Sequence, residues 1–211
     1  MAPSSRLERS FQAIVRTLRD TGADWAVLGG LAVSARTEPR FTRDIDLAVA
    51  VGNDAEAERL VHSLVQLGYQ VALDIEQTGA ARLATIRLAH SQEPRVFVDL
   101  LFASSGIEPE IVHAAERLRV FGAEVKVATV GHLIATKVLA RDDRRRPRDK
   151  QDLASLLSVA RDADIAQARS ALELVERRGF NRGRRLTEEL AAAARELRES
   201  PPRDVQGSPP T

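Results

Sequence analysis

Phe41-Thr42-Arg43-Asp44-Ile45-Asp46-Leu47-Ala48-Val49-Ala50-Val51 is the stretch of this 211-residue chain whose reading decides the fold. Ile45, Leu47, Val49 and Val51 recur at every second position, the period of a strand with one buried face. A strand over residues 41–51 sends Asp44 and Asp46 out together on the opposite face. Two adjacent carboxylates repel and raise each other's pKa unless a cation intervenes. Oxygen ligands at this spacing suit a hard divalent ion, Mg²⁺ or Mn²⁺, that also takes oxygens from substrate phosphates. The competing reading is a solvated acidic pair on an edge strand. Gly29-Gly30, about a dozen residues upstream, tilts the balance, because glycine lets backbone approach a bulky anion.

Outward from this strand the periodicity lays out a mixed architecture. Ser5-Arg6-Leu7-Glu8 has the form of a capping box and opens a helix to about residue 20, with Leu7, Phe11, Ile14, Val15 and Leu18 on one face. Residues 25–28 form a short strand ending at the glycine pair, and 31–36 a short helix. Asp54 begins a helix to residue 67. Strands follow at 69–74, 82–89 and 95–102, the last two joined by a turn at 90–94. Helices are expected at 109–116, 130–141, 148–160, 163–177 and 184–199, with one further short strand at 125–128. The fold class is α/β (α+β): a mixed sheet backed by helices (residues 1–115), a helical C-terminal bundle (116–199) and a disordered tail (200–211).

Composition narrows the class. A hydrophobic share of 44% with 29% charged residues is that of a soluble globular chain. No run approaches the roughly 18 apolar residues of a membrane span, and no signal-peptide core precedes the first helix. The absence of cysteine rules out disulfides and thiolate zinc sites and fits the cytoplasm. Net charge is only +1, but residues 141–150 hold six Arg or Lys and residues 177–185 five Arg with no acid. That second cluster, with Phe180 among its arginines, could follow an RNA backbone or could be a solvated surface.

Three further residues are out of place in their patterns. Asp99 interrupts the apolar Val96-Phe97-Val98-Asp99-Leu100-Leu101-Phe102, where a bare carboxylate is costly to bury. It is a strand end facing water or a third metal carboxylate beside Asp44 and Asp46. Lys137 points inward between Leu133 and Ile134, either snorkelling or aimed at phosphates. Asp149 falls on the apolar stripe of the 148–160 helix and Asp152 at its edge. A helix N-terminus accounts for Asp149, and Asp152 is left to orient Lys137 or an attacking hydroxyl. His62, His90, His113 and His132 share no metal-ligand spacing.

These residues resemble the AbiEii-type nucleotidyltransferase toxins, which include the mycobacterial MenT toxins. Gly29-Gly30 with Thr42-Arg43-Asp44-Ile45-Asp46 is similar to their glycine turn and Asp-x-Asp signature. Gly131-His132-Leu133-Ile134-Ala135-Thr136-Lys137 is similar to their lysine helix. Arg146-Pro147-Arg148-Asp149-Lys150-Gln151-Asp152 is similar to Arg-x-Lys-Asp-x-x-Asp, with Arg148 in place of the lysine. The likeness spans residues 25–157 and implies nucleotide transfer from an NTP, in several such proteins onto the 3′ end of tRNA, with a cognate antitoxin as partner. Candidate catalytic residues are Asp44, Asp46, Lys137 and Asp152. Metal ligands would be Asp44, Asp46 and Asp99, and nucleotide contacts Gly29, Gly30, Thr42, Arg43, Lys137 and Arg146. Transfer to a small molecule of aminoglycoside type, or an inactive nucleotide-binding module, are the alternatives.

Overall fold

The computed structural model describes residues 5–77, 82–142 and 147–199. Helix α1 (Arg6–Thr21) is capped by Ser5, whose hydroxyl accepts from the Glu8 N–H, and it ends at left-handed Gly22. Phe11, Ile14, Val15 and Leu18 are its buried stripe. Strand β1 (Asp24–Leu28) runs into α2 (Gly29–Arg36), then come β2 (Ile45–Ala50) and α3 (Asp54–Gln66). Asn53, one residue earlier than expected, caps α3 by accepting from the Glu56 N–H. The chain continues through β3 (Tyr69–Gln77), β4 (Arg82–His90), β5 (Glu93–Leu101), α4 (Glu108–Ala114), β6 (Glu116–Val120) and β7 (Ala123–Val127). It closes with α5 (Val130–Ala140), α6 (Pro147–Val159), α7 (Asp162–Arg177) and α8 (Leu186–Glu199).

The seven strands form one mixed sheet in the order β3-β4-β5-β2-β1-β7-β6. The β2–β5 and β1–β7 pairs are parallel and the others antiparallel. Helices α1 and α3 pack against the β3–β5 wing, and α4 against β1 and β2. Helix α5 meets α2, α6, α7 and α8. Trp25 is 8% exposed and joins the continuous core, as do Ile45, Leu47 and Val49.

Two expectations need correction. Strand β2 starts at Ile45, so 41–44 is an extended approach to the sheet and Asp44 sits just before the strand. The cause lies in residues 40–42, which are drawn onto helices instead of a neighbouring strand: Arg40 pairs with Asp152 of α6, and Thr42 lies over Gly30 of α2. The second correction concerns residues 116–127, which are two sheet strands and not part of a helical half. A boundary at residue 115 therefore cuts through the sheet. The turn between these strands puts Phe121 at φ 45° and Gly122 at φ 78°, the left-handed pair that a tight hairpin requires. Arg36 fastens α2 to this added edge by donating to the carbonyls of Val127 (3.0 Å) and Ala128 (3.1 Å). Residues 200–211, expected to be a disordered tail, lie outside the described residues.

Candidate active site

The register of β2 and β5 sets Asp46 beside Asp99, on one face of the sheet. Leu28 pairs with Asp46 on the other side, so β1 delivers the glycine turn directly over that carboxylate. Gly29 holds φ 58°, and a Cβ there would lie 1.9 Å from Oδ2 of Asp46. The glycine is required twice, for backbone conformation and for space. A Cβ on Gly30 would come within 2.7 Å of the Thr42 hydroxyl, and the Gly30 N–H donates to Asp46. The turn thus folds α2 tightly onto the acidic strand.

Burial pushes the Asp46 carboxyl up to about 6, and the charges of Asp99 and Asp44 push in the same direction. Lys137 works against this shift, so the lysine of α5 is within electrostatic reach of the acid. Its Nζ donates to Oδ1 of Asp149 at 2.6 Å and lies 2.7 Å from Oδ2 of Asp152. Asp152, only 2% exposed, also accepts from Arg40 Nη2 at 2.6 Å. Buried Asp152, half-buried Asp149 and two cations therefore form one network in which each charge has a partner, the condition for tolerable burial. Asp152, expected to orient Lys137 or an attacking hydroxyl, contacts the lysine ammonium, and so does Asp149, expected only as an acid at the helix N-terminus.

Asp99 is 8% exposed. Arg87, directly opposite it on β4, donates Nε and Nη2 to its two oxygens at 2.7 and 2.6 Å. This bidentate pair is the strong form of a charged contact. It raises the Arg87 pKa further above its ordinary value, and Asp44 and Asp46 add to the rise. Among the described residues no three acidic or histidine side chains converge tightly enough to hold an ion by themselves. Still, the donors fit a hard cation, because Asp46 is desolvated beside like charges and any positive charge there relieves it. Arg87 supplies part of that charge.

The remaining expected residues divide. Thr42 is half-buried, its hydroxyl over Gly30. Arg43 is exposed, its guanidinium 5.6 Å from the ring centre of Phe41, itself 68% exposed. Arg146 lies outside the described residues. Two of the arginines at 177–185 are structural: Arg178 binds Glu110 and the Gly106 carbonyl, and Arg184 binds Glu189 and the carbonyls of Val138 and Leu139, whereas Arg177, Arg182 and Arg185 are exposed. Phe180 is 9% exposed against Gly106, buried where an RNA-stacking ring would be open. Arg40 and Arg87 escaped the sequence reading, since each is an ordinary arginine until the acid opposite it is known. Burial lowers the His132 pKa, and its Nδ1 lies 3.0 Å from the Thr129 hydroxyl.

The fold has a counterpart among solved structures. A crystal structure of an antigenic nucleotidyltransferase-like protein from Paracoccidioides brasiliensis aligns with 91% of this chain and 93% of its own, at 21% identity and TM-score 0.51. The lincosamide antibiotic adenylyltransferase LnuA, lincomycin-bound, aligns over 72% of this chain and 98% of its own, at 12% identity and TM-score 0.48. The antibiotic-resistance factor ANT(2'')-Ia aligns over 90% of both chains, at 15% identity and TM-score 0.48. No curated protein matches the sequence significantly. The family described as "Nucleotidyl transferase AbiEii toxin, Type IV TA system" matches residues 13–208, nearly the whole described molecule with the glycine turn, all three acids and Lys137 inside it. The chain belongs to the AbiEii family of nucleotidyltransferase toxins.

Proposed function

We propose that this protein transfers a nucleotide from an NTP to the 3′ end of an RNA, a tRNA above all, and so blocks aminoacylation and translation. One observation carries the reading: Asp46 and Asp99 stand in register beneath a glycine turn, with Lys137 close enough to act on Asp46 electrostatically. The first N–H groups of α2 would meet the triphosphate, as helix N-termini do. Asp44 and Asp46, with Asp99, would hold Mg²⁺ or Mn²⁺, and such an ion neutralises triphosphate charge and assists loss of pyrophosphate. Arg87 must then leave Asp99, whose freed oxygen accepts the proton of the attacking hydroxyl. That hydroxyl bonds to the α-phosphorus while the bond to the pyrophosphate oxygen breaks. Lys137, its ammonium held in place by Asp149 and Asp152, offsets the charge on the departing side. Thr42 borders the same turn, and Arg43 and Arg146 would add further nucleotide contacts.

An anionic acceptor suits the charges better than a cationic drug. An aminoglycoside calls for an acidic acceptor pocket, whereas the strands beyond Asp99 carry Arg87 and exposed Arg95. As a member of a toxin family the chain would be restrained by a cognate antitoxin in the cytoplasm. No helix among the described residues is long and apolar enough to cross a membrane. Incubation with each labelled NTP, Mg²⁺ and total RNA tests the proposal. A labelled tRNA-sized band is expected, and label appearing only in a small product, or nowhere, would overturn it.

A further inference from the structure

Among the described residues, one half of the sheet is covered on a single side. Ile86 and Leu88 of β4 and Val96, Val98 and Leu100 of β5 are buried, on the face that α1 and α3 pack against. The alternate residues, Thr85, Arg87 and Ala89 on β4 and Arg95 and Phe97 on β5, are half-buried or exposed on the other face. Asp99 belongs to this second row, because it lies two residues from Phe97 on one strand. So does Leu73 of β3, which pairs with Arg87 and is 47% exposed. Since Ile45 pairs with Val98, Phe97 stands one step earlier in the register, level with Asp44. The open face therefore begins at the acids and runs away from the glycine turn.

We propose that this face, with Arg87, Arg95 and Phe97, seats the single-stranded end of the acceptor RNA. The inference rests on the transfer reading above and names the surface that supplies the attacking strand. Across the sheet the order is β1 with its phosphate turn, β2 with Asp44 and Asp46, β5 with Asp99, then β4 with Arg87. An NTP held at the first position leaves the opposite flank for the hydroxyl that Asp99 serves. The chemistry of that flank is complementary to a nucleic-acid strand. Phe97 offers an aromatic ring on an open sheet, a surface on which successive bases stack. The Arg87 guanidinium lies 5.2 Å from the Phe97 ring centre and extends the flat surface, because guanidinium planes also stack on bases. Arg95 is exposed at the outer end of the row, where a backbone phosphate would lie. Phosphates arriving there compete with Asp99 for Arg87, so acceptor binding itself frees the third acid.

The test measures binding of a short 5′-fluorescein single-stranded RNA to the full chain by anisotropy, alongside binding of a fluorescent NTP analogue. Phe97→Ala is expected to weaken RNA binding about tenfold, the loss of one stacked base. Arg95→Glu is expected to weaken it and to flatten its salt dependence. Both variants should keep wild-type NTP binding and thermal midpoint. Unchanged RNA affinity in both variants, or equal loss of RNA and NTP binding, would overturn the proposal, as would equal competition by duplex RNA. If wild type labels tRNA and both variants do so with unchanged KM for RNA, this surface is wrong and the transfer reading stands. If wild type labels no RNA yet Phe97 and Arg95 control RNA affinity, the transfer reading fails and the binding surface stands.

Discussion

Gly29 and Asp46 occupy the same space to the limit of what atoms allow: a side chain on the first would overlap the carboxylate of the second at 1.9 Å. Gly29→Ala must also place a Cβ at φ 58°, a left-handed conformation that costs an L-residue roughly 1–2 kcal/mol. We expect the variant to fold with a lower thermal midpoint and to lose transfer activity by more than an order of magnitude, because Asp46 has to move. Full activity in Gly29→Ala would show that the turn does not set the acid's position.

The raised pKa of Asp46 makes a prediction with a definite sign. Its folded value, about 6, lies above the ordinary 3.8, so between these pH values the folded chain binds more protons at this residue than the unfolded one. Its contribution to stability is therefore complete below about pH 3.8 and is lost as pH rises towards 6. Asp46→Asn should be more stable than wild type at pH 8, by at most about 3 kcal/mol, while abolishing transfer. Urea titrations at acidic and alkaline pH check this, and a stability gap that does not widen with pH would refute it.

Removing Lys137 leaves Asp149 without the ammonium 2.6 Å away and leaves Asp152 with Arg40 alone. Breaking one partner out of a buried charge network costs about 3–5 kcal/mol, and Arg40 should hold the loss in Lys137→Met near the lower end. Lys137→Met/Asp149→Asn should recover part of that stability but none of the activity. Thermal melts and NTP labelling separate the two roles of the lysine, structural partner and phosphate counter-charge.

Arg184 donates to the Val138 and Leu139 carbonyls at the end of α5. Arg184→Ala should destabilise the chain by roughly 1–3 kcal/mol through unpaired carbonyls and a stranded Glu189. The KM for RNA should stay the same. A selective rise in that KM at full stability would restore the 177–185 cluster as an RNA contact.

What the sequence disclosed follows from how local each signal is. The alternation around Asp44 and Asp46, the glycine turn and the inward direction of Lys137 are readable because each depends on neighbours a few residues away. The Arg87–Asp99 pair depends on the β4–β5 register, and Arg40–Asp152 joins residues 112 apart in the chain, so neither has a local signature. Strand β6 was hidden for another reason. Its outward residues are charged, as suits an edge, and its turn puts a phenylalanine where asparagine or glycine would have announced a hairpin. Within 177–185, the anchoring of Arg178 by Glu110 and of Arg184 by the Val138 and Leu139 carbonyls was hidden because those partners come from other segments.

The candidate residues come from distant parts of the chain: Gly29 to Asp46, Asp99, Lys137, and Asp149 with Asp152. No single segment carries the chemistry, and the lysine lacks its buried acids until α6 docks on α5. On the transfer reading proposed above, a growing polypeptide would gain no activity until residues beyond Asp152 have emerged and folded. On the same reading, a truncation ahead of that point should yield a fragment with no transfer activity rather than a reduced one.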